Sequence, residues 1–302
     1  MKQTNSSPDS ILTLGTFDGV HRGHQKIFQK IVDRAHTSGL RPVVLVFKYP
    51  PRHIINPARE PLLITLWNER KKLIQKYNIQ KIIPISFTKK LVQTSPKEFV
   101  LYLRNKYQMK EMVVGHNFAF GRGRRGNVAV LRKLTARLGI RLHVIGPAAV
   151  HKEVISSSSI RRFLKEGNIT SALNMLHNAY SITGKVIPGL GWGTKQGIPT
   201  ANIRVSQHKL LPLGVFTAEV IAGSKTFPGV ANIGFRPSIH RLAYPLVEVH
   251  ILNRSAQLYG RTVTVVLRKK IRNERMYTHR DHLVERIHED IKIAQNYFYK
   301  IK

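Results

Sequence analysis

The stretch ILTLGTFDGVHRGHQ, residues 11–25, decides the fold. Residues 11–16 read as a short buried strand. His24 to His36 read as a helix with Ile27, Phe28, Ile31, Val32 and Ala35 on one face and Gly39 as its stop. Between them, Gly15, Gly19 and Gly23 let backbone approach a ligand closely. A helix start at 23–24 offers free N–H groups and a positive dipole end, which suit a phosphate. His21 and His24, spaced i and i+3, then face the same phosphate region. Imidazole N–H groups there can stabilise charge growing on phosphorus during in-line attack. The plainer alternative is a glycine-rich turn with two surface histidines. The strand–turn–helix context favours chemistry.

Working outward, the first 150 residues alternate strands and helices. VVLVF (43–47) is a second strand, ended by Tyr49, Pro50 and Pro51. A helix from about 67 to 77 leads to KIIPISF (81–87). Ser95 caps a further helix, with Pro96 at its first position and Glu98 completing a capping box. EMVVG (111–115) is a strand followed by the loop GRGRRGN, then a helix over 128–138 and the strand RLHVIG (141–146). Such alternation predicts a parallel sheet with helical covers. Ser156 to Ser159 open a helical stretch that continues to about 177; taken alone, they read as simple capping.

After that the texture changes. ITGKVI, GVFTAEVIAG, LVEVHIL and TVTVVL follow at close spacing, separated by Gly and Pro turns, which suggests a small antiparallel barrel. An amphipathic helix from His279 to Phe298 closes the pattern, with Leu283, Ile287, Ile291, Ala294 and Phe298 on one face. Two domains are expected, 1–180 and 181–302.

Composition bounds the chemistry. The chain has 302 residues, 50 Lys and Arg against 16 Asp and Glu, and a formal net charge of +34. Both halves are basic: 31 against 9 in residues 1–180, and 19 against 7 in 181–302. Attraction to polyanions follows, whether nucleic acid, anionic lipid or nucleotide phosphate. Zero cysteines exclude disulfides, thiolate zinc sites and Cys nucleophiles. No signal peptide and no run long enough for a membrane span is visible, so a cytoplasmic protein with no membrane partner is expected.

A second constellation lies in the C-terminal half. Gly189 to Gly197 form a glycine-rich loop that can fold over phosphates, with Lys195 supplying charge. The loop lacks the GxxxxGK[ST] arrangement, so a Walker-type ATPase is not supported. Thr200 and Asn202 offer two oxygens on one strand face, and Mg²⁺ prefers hard oxygen ligands shared with phosphate. Alone, PTAN reads as a strand-edge turn. Glu248 sits mid-strand in LVEVHIL. Alternation puts it on one face with His250, and Val247 and Val249 on the other. A carboxylate there can accept a hydroxyl proton as the oxygen attacks phosphorus, or can simply pair with a basic neighbour.

These motifs together resemble the bacterial bifunctional riboflavin kinase/FAD synthetases, whose first module is an HxGH nucleotidyltransferase. The resemblance runs through GTFDGVHRGHQ, VVGHNFAFGRGRRGN (113–127), ISSSSIRRFLKEGNI (155–169), GIPTAN (197–202), GVANIGFRPSI (229–239), VEVHILN (247–253), LYG (258–260) and IRNERMY (271–277), in the family's order. It implies a Rossmann-like N-terminal domain and a riboflavin kinase barrel with a C-terminal helix. It implies phosphorylation of riboflavin to FMN and adenylylation of FMN to FAD, with ATP as co-substrate and Mg²⁺ as cofactor. His21 and His24 would hold ATP phosphates and the adenylyl-transfer transition state. Gly15, Phe17, Asp18 and Gly23 would shape the nucleotide turn. Asn117, Phe118 and Gly121 would meet nucleotide and flavin, and Ser156, Ser157 and Arg161 would clamp phosphates. Glu248 would be the kinase base, Thr200 and Asn202 the Mg²⁺–ATP ligands, and Arg272 and Glu274 the flavin-facing pair.

The sequence departs from the family in places. Asn117 stands where the family's DFxFG loop has Asp, Thr88 where an acid is usual, and residues 176–180 replace LGRPY. Competing readings are a riboflavin kinase with a weakened first module, a nucleotidyltransferase with another acceptor, and a basic nucleic-acid binder on the same scaffold. The last would show salt-steep affinity for generic polyanions and need none of the three motifs together. No obligatory nucleic-acid partner is expected, and the sequence does not set the oligomeric state.

Overall fold

The computed structural model describes residues 8–50, 62–189, 191–235, 244–252, 257–275, 277 and 279–300, without the side chains of Lys89, Lys90, Trp192, Lys195 and Arg280. Packing divides the chain into two units, Met1–Ser156 and Ser157–Lys302.

In the first unit the strands are β1 (Ser10–Gly15), β2 (Arg41–Phe47), β3 (Lys81–Ile85), β4 (Met109–Gly115) and β5 (Arg141–Ile145). They pair in parallel in the order β3-β2-β1-β4-β5. The helices are α1 (Arg22–Ser38), α2 (Trp67–Gln75), α3 (Lys89–Gln93), α4 (Pro96–Tyr107) and α5 (Val128–Arg137). A sheet covered on both faces must be apolar on both, which is why VVLVF is a continuous run rather than an alternating one. Val43, Leu45 and Phe47 pack with Phe99, Val100 and Leu103 of α4. Val44 and Val46 pack on the other side with Phe28 and Ile31 of α1 and Ile74 of α2. Each such apolar side chain contributes about 1.5–3 kcal/mol on burial.

Caps fix where the helices begin. The Ser95 hydroxyl accepts from the Glu98 N–H at 3.3 Å, and the Glu98 carboxylate accepts from the Ser95 N–H at 2.9 Å. Two elements escaped the periodicity. Thr88 caps the five-residue α3 through a bond from the Leu91 N–H, so its hydroxyl has a structural use where the family has an acid. A short hairpin joins β6 (Ala149–Val150) to β7 (Glu153–Val154). At the N-terminal end of the sheet, the buried Glu111 of β4 gathers Arg34 and Arg141 at 2.7 Å and His143 at 2.7 Å.

The second unit opens with α6 (Ser157–Lys165) and α7 (Ile169–Leu176). Six strands follow: β8 (Tyr180–Ile187), β9 (Ala201–Arg204), β10 (Gly214–Ala222), β11 (Lys225–Gly234), β12 (Leu246–Ile251) and β13 (Thr262–Arg272). They close into an antiparallel barrel in the order β10-β11-β12-β9-β8-β13. Strand β13 continues through Arg268-Lys269-Lys270 to Arg272, beyond the apolar run TVTVVL. Its charged end is held because it pairs with β10 as far as Val215, and because Arg268 forks onto Glu219 of β10. A short α8 (Trp192–Lys195) lies in the glycine loop. The helix α9 (Arg280–Tyr299) lays Ile291, Ala294 and Phe298 against Val215 and Val230 on the outer wall of the barrel.

Candidate active sites

The order 3-2-1-4-5 reverses direction at β1, and ligands of such sheets bind at the C-terminal strand ends beside that switch point. The turn after β1 lies there. The Val20 N–H closes it onto the Phe17 carbonyl at 3.1 Å. Phe17 and Val20 both have positive φ, 48° and 45°, and Gly19 has 85°. A left-handed β-branched residue is a true outlier, and strain of this kind gathers at functional sites. The Gln25 side chain donates to the Val20 carbonyl and helps hold it there.

His21 is the N-cap of α1, its Nδ1 accepting from the His24 N–H at 3.4 Å. Neutral His21 then carries its proton on Nε2. The rings of His21 and His24 stack with centroids 3.5 Å apart. Gly23 permits this: a Cβ there would sit 3.2 Å from the His21 ring. Burial, then His21, then Arg70 push His24 well below the ordinary imidazole range, so it is neutral near pH 7. Its Nδ1 is buried with no hydrogen-bond partner among the described residues.

Other expected nucleotide residues sit differently. Phe17 is buried, edge-on to His24 and packed on Phe28, so it shapes the turn from beneath. Gly15 leaves room for it, since a Cβ would lie 3.0 Å from the Phe17 ring. Asp18 is also buried; its carboxylate accepts from the N–H groups of Ile64 and Thr65, the Thr65 hydroxyl and Arg70. The expectation that Asp18 faces a nucleotide meets a physical objection, because these bonds enclose its oxygens. Arg70, missed in the sequence, lies fully buried beside it. Nothing but an unusual guanidinium in an amphipathic helix would have pointed to it.

Asn117 is exposed after β4, with its Oδ1 3.4 Å from where a Gly115 Cβ would stand. Phe118 stacks on Phe120 at 5.3 Å, and Phe120 belongs to the sheet core. Gly121 turns the chain against Pro96 with φ of 71°. Ser156 ends the first unit, whereas Ser157 and Arg161 lie on α6 of the second.

In the second unit, register builds the site. Glu248 on β12 pairs with Asn202 on β9 and with Asn232 on β11, so three polar side chains form one row across three strands. Val247, Val249 and Ile251 are buried, while Leu246, Glu248 and His250 take the outer face. A cavity of about 420 Å³ opens on that outer wall. Thr200, Asn202, Asn232 and Glu248 line it, with apolar walls from Ile198, Val215, Leu246 and residues of α9. Asn232 was not singled out in the sequence; strand pairing, invisible there, brings it in.

The PTAN segment is anchored by His250, whose Nδ1 lies 2.9 Å from the Pro199 carbonyl. Gly189 is required by closeness, since a Cβ there would come within 2.1 Å of the Asn202 amide nitrogen. The Lys195 side chain lies outside the described residues. Arg272 lines the cavity but commits its guanidinium to both oxygens of Asp290 on α9, at 2.8–3.1 Å. Its ion-pair partner is therefore Asp290. The Glu274 carboxylate occupies the space a Gly234 side chain would need; burial pushes its carboxyl up, more than the Phe235 N–H and Arg272 draw it down.

A paired-imidazole turn at a sheet switch point and a carboxylate-bearing cavity on a closed barrel define a two-unit transferase acting on nucleotides. Comparison with known proteins makes this specific. Residues 3–159 match the FAD synthetase family and residues 176–298 the riboflavin kinase family. A bifunctional riboflavin kinase/FMN adenylyltransferase of Buchnera aphidicola (subsp. Acyrthosiphon pisum) is 35% identical over 301 residues, 99% of this chain and 96% of that protein. The Escherichia coli K12 protein of the same name is 32% identical, covering 95% and 92%. The chain belongs to the bifunctional riboflavin kinase/FMN adenylyltransferase family. A crystal structure described as a macrolide-efflux protein from Streptococcus pneumoniae superposes with a TM-score of 0.88 and 25% identity, covering 98% of this chain and 96% of that one. Efflux is said of that protein; among the described residues here, no helix is long and apolar enough to cross a membrane.

Proposed function

We propose that the barrel unit phosphorylates riboflavin with Glu248 as base, and that the sheet unit adenylylates FMN at His21 and His24. The chain is an ATP-dependent transferase with both activities: riboflavin and ATP give FMN and ADP, and FMN and ATP give FAD and pyrophosphate. The observation that carries the residue assignment is the row Asn202–Glu248–Asn232 facing a cavity with an apolar wall. An isoalloxazine needs such a wall, and a ribityl hydroxyl needs a carboxylate at its edge.

At the barrel, Glu248 takes the proton of the ribityl hydroxyl as its oxygen attacks the γ-phosphorus of ATP. His250 supports the geometry by fixing Pro199, which sets where Thr200 and Asn202 stand. The donor set fits Mg²⁺, because the Thr200 hydroxyl and the Asn202 amide oxygen are hard oxygens on one cavity. Mg²⁺ commonly shares such side-chain oxygens with the oxygens of substrate phosphates. Bound there, Mg²⁺ would neutralise phosphate charge through Thr200 and Asn202. Gly189, Gly191, Gly193 and Thr194 line the same cavity.

At the sheet, a phosphate oxygen of FMN attacks the α-phosphorus of ATP, and pyrophosphate leaves. His21 and His24 donate to the oxygens that gain charge, and the neutral state of His24 lets it present an N–H without a fixed cation. Gly15, Gly23 and the α1 start leave space for phosphate; Phe17 and Asp18 act from beneath. Asn117 and Phe118 are assigned to the flavin side, and Ser156, Ser157 and Arg161 to phosphate. We place the chemistry in the cytoplasm, where ATP is available.

Incubation with riboflavin, ATP and Mg²⁺, followed by separation of the flavins, tests the reading. FMN should appear first and FAD after it. FAD made from supplied FMN by a Glu248→Gln chain that makes no FMN of its own would support two separate sites. FMN formation at the wild-type rate by Glu248→Gln would reject the base.

A further inference from the structure

The buried Arg70 on α2 is used by neither reaction described above. Its side chain is wholly enclosed, yet it carries a charge, and an enclosed cation is costly unless every donor finds an acceptor. Here the acceptors come from four places. Nη1 donates to the Thr16 carbonyl at 2.8 Å and the Phe47 carbonyl at 3.0 Å, with Lys48 at 3.4 Å. Nη2 donates to the Thr65 carbonyl at 2.7 Å and faces Asp18 at 3.4 Å. Nε lies 3.4 Å from the Thr65 hydroxyl, which itself accepts from the Gly19 N–H at 2.9 Å. One planar fork thus spans the ends of β1 and β2, the segment 64–65, and the turn that carries the histidines.

We propose that Arg70 is a positioning residue for adenylyl transfer: it ties Thr16 and Asp18 to β2 and α2, and so fixes the strained turn that presents His21 and His24. This rests on the assignment of those histidines to that reaction. The argument is one of constraint. Phe17 and Val20 hold left-handed conformations that persist only when the surroundings over-determine them. Arg70 and Asp18 bracket the turn on both sides of Phe17, and Thr65 holds Gly19 between Phe17 and Val20. A guanidinium does this where an ammonium does not, because its donors lie in a rigid plane and reach separate carbonyls together. The charge has a second effect. The charged or titratable neighbours acting on His24 are His21 on the same turn and Arg70 on α2, and both oppose its protonation.

The test uses the full chain, so that riboflavin phosphorylation on the other unit reports its integrity in the same sample. Arg70→Gln removes fork and charge. It should lower kcat for FMN adenylylation about 100-fold with KM for ATP little changed, and move the acid limb of the profile to higher pH, because His24 protonates more readily without the cation. Arg70→Lys keeps the charge and loses the fork: kcat should fall less, and the acid limb should stay in place. Wild-type kcat in either variant overturns the inference. So does an Arg70→Gln defect that vanishes on cooling below its melting midpoint with the acid limb unmoved, since that is loss of stability alone. If Arg70→Gln does not fold, Arg70→Lys decides by its kcat. His24→Ala separates the two claims: retained FAD formation rejects the histidine assignment, whereas its loss beside normal Arg70 variants rejects only the role of Arg70.

Discussion

The two sites are built by opposite means. The sheet site occupies one contiguous turn, residues 15–24, bent into left-handed conformations and held from below by a buried ion pair. The barrel site has no such strain at its centre. Glu248, Asn202 and Asn232 lie on regular antiparallel strands and meet because the register pairs them. The first method concentrates chemistry in a short sequence and needs a scaffold to keep it bent. The second spreads chemistry over distant residues and needs only that the strands align.

The sharpest way to break this comparison is at the carboxylate. Glu248→Gln should lower FMN formation ~10²–10⁴-fold while supplied FMN is still converted to FAD; equal loss of both would merge the two sites. Next, His24→Ala should reduce FAD formation ~10²–10³-fold and spare the kinase, as followed by flavin chromatography. A kinase that fell with it would contradict the separation.

Acid probes the scaffolds rather than the sites. Burial pushes the Glu111 carboxyl up, but hydrogen bonds from Arg34 and His143 outweigh it and hold the group at about 2, against an ordinary 4.5. A depressed carboxyl stabilises the folded state above its unfolded value. That contribution, up to about 3 kcal/mol, is lost as pH falls from about 4.5 toward 2. Thermal unfolding over that window should show the sheet unit weakening in the wild type, and Glu111→Gln should flatten the dependence. The smallest effect is expected at Gly189. A methyl there meets the Asn202 amide, so Gly189→Ala should raise the kinase KM for Mg²⁺–ATP about tenfold, near 1.4 kcal/mol, and leave adenylylation unchanged.

The same contrast explains what the sequence disclosed. The inner strands of the sheet were legible because a doubly covered sheet makes unbroken apolar runs such as VVLVF, and the turn because its residues are consecutive. The capping box at Ser95 was legible for the same reason. Outer-face alternation exposed Glu248. Asn232 stayed hidden, since only pairing to β12 gives it a neighbour, and pairing is not local. Arg70 stayed hidden because, on a helix with basic neighbours, a buried guanidinium reads like a surface one. The ion-pair partner of Arg272 lies eighteen positions away on α9, where no spacing rule links a strand end to a helix.

The strand order has a consequence for self-association. The barrel has no free edge, because β10 pairs with β13 and closes the ring. Among the described residues the open sheet ends in β3 and β5, and edge backbone of this kind can recruit another chain. Each edge carries its own obstacle. Pro84 in β3 has no N–H to offer an incoming strand, and Lys81 stands exposed at its start. On β5, Arg141 stands exposed at the start of the strand, a bulky cation beside the rim where a β-partner would have to add, while it also bonds Glu111 of β4.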